Sequence, residues 1–135
     1  MSLDVLIVDD DPDIRTTLAE LLSEEGYSVE KIDRIAELAP ALERTRPRLV
    51  LLDLTLPGQN LQSVLAEAHE RNLLGHSLVY AMSGLDETRD IANELGLDGA
   101  VRKPFEIAEL LAVIEKVCRS EADRTAAEPP GAHPA

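Results

Sequence analysis

The chain has 135 residues, enough for one domain, and 44 % of them are hydrophobic, which supports a buried core and argues against a disordered chain. A formal net charge of -13 at pH 7 argues against a nucleic-acid surface, which needs basic groups to displace counterions, and against an anionic membrane surface. A single cysteine, Cys118, allows no intrachain disulfide, no segment reaches the length of a membrane span, and Met1–Ile7 lacks a basic leader, so a cytoplasmic location is expected, with neither nucleic acid nor membrane as partner.

Val5–Val8 is a short apolar run and predicts a strand over 4–8, followed by Asp9, Asp10 and Asp11. Asp11-Pro12 has the form of a helix N-cap with proline at the first helical position. Ile14, Leu18, Leu21 and Leu22 recur at i, i+4, i+7 and i+8, so a helix is predicted over 12–25, closed by Gly26. Ser28–Ile32 is short and mixed, which places it at a sheet edge. A second helix is predicted over 34–45, and Pro40 inside it should kink it or delay its start. Leu49–Leu52 ends in Asp53 and predicts a strand over 48–53, then a helix over 61–73. Leu78–Met82 predicts a strand over 77–82, followed by Ser83-Gly84 and a helix over 86–96 that ends at Gly96. A last strand over 99–102 runs into Lys103, Pro104 and Phe105. Ile107, Leu110, Leu111 and Ile114, at i, i+3, i+4 and i+7, predict a helix over 107–119. Residues 1–119 then form the domain. Residues 120–135, rich in Ala, Pro and charge, have no apolar period and are expected to be a disordered tail or a linker stub.

Strand-helix alternation with strands apolar on both faces points to a parallel sheet inside a three-layer α/β sandwich. In such sheets ligands sit beyond the carboxyl ends of the strands. Those positions are polar here: Asp9 and Asp10, Asp53, Ser83, and Lys103. Asp11 is assigned to capping. Three carboxylates at one edge repel and need a cation, and hard oxygen donors suit Mg²⁺. Lys103 adds a fixed positive charge and Ser83 a hydroxyl. Together they supply a cation site, a nucleophilic carboxylate and two donors, which is the equipment for in-line phosphoryl transfer.

Four stretches carry a resemblance: Val5-Leu-Ile-Val-Asp-Asp-Asp-Pro, Leu49-Val-Leu-Leu-Asp-Leu-Thr-Leu-Pro-Gly, Ala81-Met-Ser-Gly and Val101-Arg-Lys-Pro-Phe. In this order and spacing, across roughly residues 3–119, the sequence resembles the response-regulator receiver family. The resemblance implies a flavodoxin-like fold with strand order 2-1-3-4-5. It implies Asp53 as the phosphoacceptor, supplied by a phosphohistidine on a sensor histidine kinase or phosphotransfer protein. It implies Mg²⁺ (or Mn²⁺) held by Asp9, Asp10, Asp53 and the backbone carbonyl of Thr55. Ser83 would be the switch hydroxyl and Lys103 would pair with the phosphoryl group. A downstream protein would dock on the face of the fourth helix, fifth strand and fifth helix. Leu85 and Thr55 would flank the route of attacking water.

The chain also departs from that pattern. Ala100 stands where many receivers have an aromatic switch residue. Gln59-Asn60-Leu61 replaces Met-Asp-Gly after Pro57-Gly58. The Asp-Asp-Tyr segment and fifth-helix arginine of winged-helix regulators are missing, so their symmetric dimer is not expected. These departures keep a second reading open, a degenerate receiver that acts as a constitutive interaction module. A haloacid-dehalogenase-like phosphatase would want an aspartate at Thr55. A flavodoxin would want an anion-friendly loop in place of Asp9–Asp11. The expectation is therefore a signalling module rather than an enzyme. His69, His76 and His133 lack ligand spacing and are assigned to the surface.

Overall fold

A computed structural model of the chain describes residues 3–54, 61–75, 77–84, 88–103 and 106–127. Its first strand, β1 (Val5–Val8), is buried at every position. So is β3 (Leu49–Asp53). Runs apolar on both faces suit interior strands of a parallel sheet covered on both sides. β2 (Val29–Ile32) is shorter, with a half-buried, mixed composition, and takes one edge. β4 (Leu78–Ser83) and β5 (Gly99–Arg102) complete a five-stranded, all-parallel sheet in the order β2-β1-β3-β4-β5. Fold class and strand order agree with the sequence reading.

Period-2 alternation sorts the core onto two faces. Leu6, Val8, Val50, Leu52 and Val79 point to one face. There they meet α2 (Leu38–Thr45) and α3 (Leu61–Glu70) through Leu38, Leu42 and Leu65. Val5, Ile7, Leu49, Leu51, Met82 and Val101 point to the other. There they meet α1 (Pro12–Glu24) through Leu18 and Leu22, and α5 (Ile107–Ala127) through Leu110, Ile114 and Val117. Each fully buried Leu or Ile contributes about 1.5–3 kcal/mol of transfer free energy, so this nearly aromatic-free core is held by many aliphatic contacts. α4 (Thr88–Glu94) packs on β4 and β5.

Local chemistry sets the helix ends. The Asp11 side chain accepts from the N–H groups of Asp13 and Ile14, with Pro12 just inside the helix. Such a cap contributes about 1 kcal/mol. Pro40 delays the second helix: a single 3-10 turn over Ile35–Glu37 precedes α2, and Pro40 falls in the first α-turn, where its missing N–H has no intrahelical partner to lose. α2 closes on Arg46 in the left-handed region, at φ 46°.

Two helix C-termini lie more than two residues from expectation. α3 ends at Glu70 rather than near 73, because Asn72 adopts φ 57° and turns the chain out of the helix. α5 continues to Ala127 instead of stopping at 119. Ser120–Ala127 lacks glycine and proline and holds three Ala, with Glu121 and Arg124, which favour helix even without an apolar stripe, and Pro129 comes only beyond it. Residues 128–135 of the expected tail lie outside the described residues.

A close approach ties β4 to β5. Gly99 pairs in register with Tyr80. A Cβ at position 99 would stand 2.5 Å from the Tyr80 ring, so the ring occupies the space a side chain would need.

Candidate functional site

At one edge of the parallel sheet β3 and β4 end in polar residues, and β1 and β5 deliver Asp9 and Lys103 just beyond their ends. β1 runs directly into Asp9, which is fully buried, while Asp10 beside it is exposed. β3 ends in Asp53, 2 % exposed, and β4 ends in Ser83, fully buried. One carboxylate oxygen each from Asp9, Asp10 and Asp53 lie within 4.8 Å of one another. Lys103 Nζ donates to Asp9 Oδ2 at 2.8 Å and stands 3.7 Å from Asp53 Oδ2. Asp9, Asp10, Asp53 and Lys103 are therefore brought together from positions 94 residues apart in the chain. Ser83 lies on the adjoining strand end, where its carbonyl accepts from Lys103 N–H at 2.7 Å and from Thr88 Oγ1 at 3.4 Å.

Burial pushes the Asp9 carboxyl above its ordinary value of 3.8. The charge of Asp53 acts in the same sense, against the hydrogen bonds from Lys103 and the Asp11 N–H. The ionised pocket is thus held together at a cost, as expected for like charges withdrawn from water. The donor set fits a hard divalent cation: carboxylate oxygens, close enough to share one ion and partly desolvated. Thr55, Leu85 and Pro104, to which the sequence gives roles or positions around this pocket, lie outside the described residues.

Asp9 is fixed by more than Lys103. Its N–H donates to Ile32 O at 3.2 Å, and its Oδ1 accepts from Asp11 N–H at 2.9 Å. Its main-chain carbonyl accepts from the Arg15 guanidinium at 3.0 Å. The motifs read from the sequence do not include Arg15, although it follows the Asp11 cap by four and helical side chains lean toward the helix N-terminus, back over the acidic loop.

Around β5, between α4 and α5, lies an open groove of about 520 Å³ lined by Arg89, Ala100, Arg102, Lys103, Glu109 and Val113 among others. Ala100 leaves this groove without a ring to fill it. His69 is exposed, as expected; His76, His133 and the side chain of Cys118 lie outside the described residues. Among the described residues no helix is long and apolar enough to cross a membrane.

The family described as Response regulator receiver domain matches residues 5–115. The transcriptional regulatory protein GltR of Pseudomonas aeruginosa is 34 % identical over 117 residues, covering 85 % of this chain and 48 % of that protein. The sensory transduction protein RegX3 of Mycolicibacterium smegmatis is 35 % identical over 120 residues, covering 88 % of this chain and 52 % of that protein. The chain thus spans about half the length of these two relatives. Among solved structures, a CheY-like response regulator receiver domain protein of Methanospirillum hungatei superposes with a TM-score of 0.76 at 28 % identity, over 91 % of this chain and 99 % of that one.

Proposed function

The chain belongs to the response-regulator receiver family, and on that premise we propose that it is the phosphoacceptor module of a two-component or phosphorelay system. A phosphohistidine on a sensor histidine kinase or phosphotransfer protein is the donor. The P–N bond to the imidazole breaks as a P–O bond forms to an Asp53 carboxylate oxygen, and the imidazole leaves with a proton from solvent. The observation that carries this reading is the convergence of Asp9, Asp10, Asp53 and Lys103 on one small pocket.

Asp9, Asp10 and Asp53, with the Thr55 carbonyl, would hold Mg²⁺ (or Mn²⁺), which when bound neutralises the acids and the incoming phosphoryl oxygens. Lys103, which leans on Asp9 in the unphosphorylated chain, turns toward the phosphoryl group as negative charge accumulates on Asp53. The Ser83 hydroxyl gains a phosphoryl oxygen to bond only once the group is in place. That differential contact is what shifts an equilibrium between two positions of Ser83 relative to α4. The Ser83 carbonyl joins Lys103 and the first residue of α4, so its movement reaches both the site and the helix. The groove over α4, β5 and α5 is the surface on which a downstream protein would sense the change.

Ala100 favours one second reading, a receiver that binds its partner constitutively, because no ring at that position can couple to Ser83. Labelling with a small phosphodonor separates the two. The intact chain should incorporate one phosphoryl group in the presence of Mg²⁺, and Asp53→Asn should incorporate none. Equal labelling of both proteins would put the acceptor elsewhere, and no labelling of the intact chain would favour the constitutive module.

A further inference from the structure

We propose that Arg15 is a positioning residue for the cation of this site, holding the backbone of the acidic loop so that the Asp9 and Asp10 carboxylates face Asp53. The proposal rests on the reading of these three acids as ligands of a divalent cation.

Three consecutive aspartates leave β1, and two of them converge on a fourth acid from β3. Mutual repulsion drives such a loop outward, away from Asp53. The loop resists because its ends are tied. Asp11 caps α1, and the Arg15 N–H donates to the Asp11 carbonyl at 3.0 Å. The Arg15 guanidinium then reaches back along the helix to the Asp9 carbonyl at 3.0 Å. The first helical turn, closed by a main-chain bond that any residue at position 15 makes, anchors one end of the loop, and the Arg15 side chain holds the other.

The two cations that touch Asp9 act on different atoms. Lys103 engages a carboxylate oxygen, an atom a metal ion would also use. Arg15 engages the main chain, so it brings positive charge to the acids without occupying a ligand atom. A guanidinium suits this task, since it stays charged at any working pH and offers five N–H donors in a rigid fork. Groups that orient metal ligands in this way typically contribute about ten- to hundredfold in metal affinity.

The test is titration calorimetry of Mg²⁺ into the intact chain, Arg15→Met and Arg15→Lys, with the rate of Asp53 labelling measured at saturating Mg²⁺. Arg15→Met should weaken Mg²⁺ binding by about tenfold or more. Arg15→Lys, which keeps a charged donor, should recover part of that loss, and labelling at saturating Mg²⁺ should stay close to that of the intact chain. Thermal unfolding without Mg²⁺ guards against a trivial result: an arginine that only stabilises the fold lowers the melting temperature and leaves the affinity of the folded chain alone. Mg²⁺ affinity unchanged in Arg15→Met overturns the proposal. So does an affinity loss that Arg15→Lys does not relieve, or a loss of labelling that saturating Mg²⁺ does not restore. An intact chain that binds no Mg²⁺ overturns the metal-site reading and this proposal together, whereas equal binding by intact and variant chains overturns the role of Arg15 alone.

Discussion

Aspartates stand at both ends of the sheet, and the two ends use them in opposite ways. At the amino-terminal end, Asp4 and Ser28 bond reciprocally at 2.9 Å, each side chain taking the other's N–H, which joins the entries of β1 and β2. Arg48, just before the neighbouring β3, stands 3.8 Å from Asp4. Asp98 accepts the Val79 N–H at 2.8 Å and returns its own N–H to the Val79 carbonyl at 2.9 Å, joining β4 and β5. At the carboxyl end, Asp9, Asp10 and Asp53 face one another, and Lys103 serves two of them at once. A carboxylate that meets a backbone N–H fastens strands. A carboxylate that meets another carboxylate stores repulsion, which a cation or a phosphoryl transfer can redirect.

The sharpest way to break this contrast is to remove one of the crowded acids. Mg²⁺ at a hundred times its dissociation constant should stabilise the folded chain by about 2.7 kcal/mol. Asp9→Asn should abolish most of that gain while leaving the metal-free protein more stable at neutral pH than its parent. The sign follows from the raised pKa of Asp9. The folded state holds this proton more tightly than the unfolded chain does. Its contribution is therefore complete below 3.8 and is lost as pH rises through the elevated folded-state value. Metal-free stability of the parent, measured against Asp9→Asn in urea at successive pH values, should accordingly decline across that window. A parent that gained on the variant with rising pH would remove the strain argument.

At the opposite end the prediction reverses. Asp98→Ala leaves the Val79 N–H without its side-chain acceptor and should cost about 1–2 kcal/mol in urea unfolding, with Asp53 labelling unaffected. A labelling defect of similar size would show that the two ends are coupled. The smallest effect concerns backbone shape alone. Arg46 ends α2 at φ 46°, where a side chain is disfavoured. Arg46→Gly should raise stability by about 0.5–1 kcal/mol, since relief of strain exceeds the added chain entropy. An unchanged or lower denaturation midpoint would mean that the Arg46 side chain contributes more than its conformation costs.

The interior strands were the most legible part of the sequence. Val5–Val8 and Leu49–Leu52 are apolar at every position, and only a strand covered on both faces has use for that. The members of the pocket were legible for a related reason: charged residues directly after buried strands have one edge on which to emerge. What stayed hidden depends on reach or on continuation. Ser120–Ala127 joins α5 through helix-forming residues that would serve a linker equally well, so no periodic signal marked it. The grip of Arg15 on Asp9 needs a side-chain path that spacing suggests but does not dictate. The left-handed turn at Arg46 carries no glycine to announce it, and the packing of Tyr80 over Gly99 appears only once β4 and β5 are set in register.

That last contact has a spectroscopic consequence. The chain has no tryptophan and two tyrosines, so its intrinsic emission comes from phenol rings alone. One of those rings bridges the strand pair that ends in Ser83 and leads to Lys103. Sliding of β4 along β5 would alter the surroundings of that ring directly. With Tyr27 replaced by phenylalanine, Tyr80 becomes the single emitter, a native optical gauge of shear between the two strands.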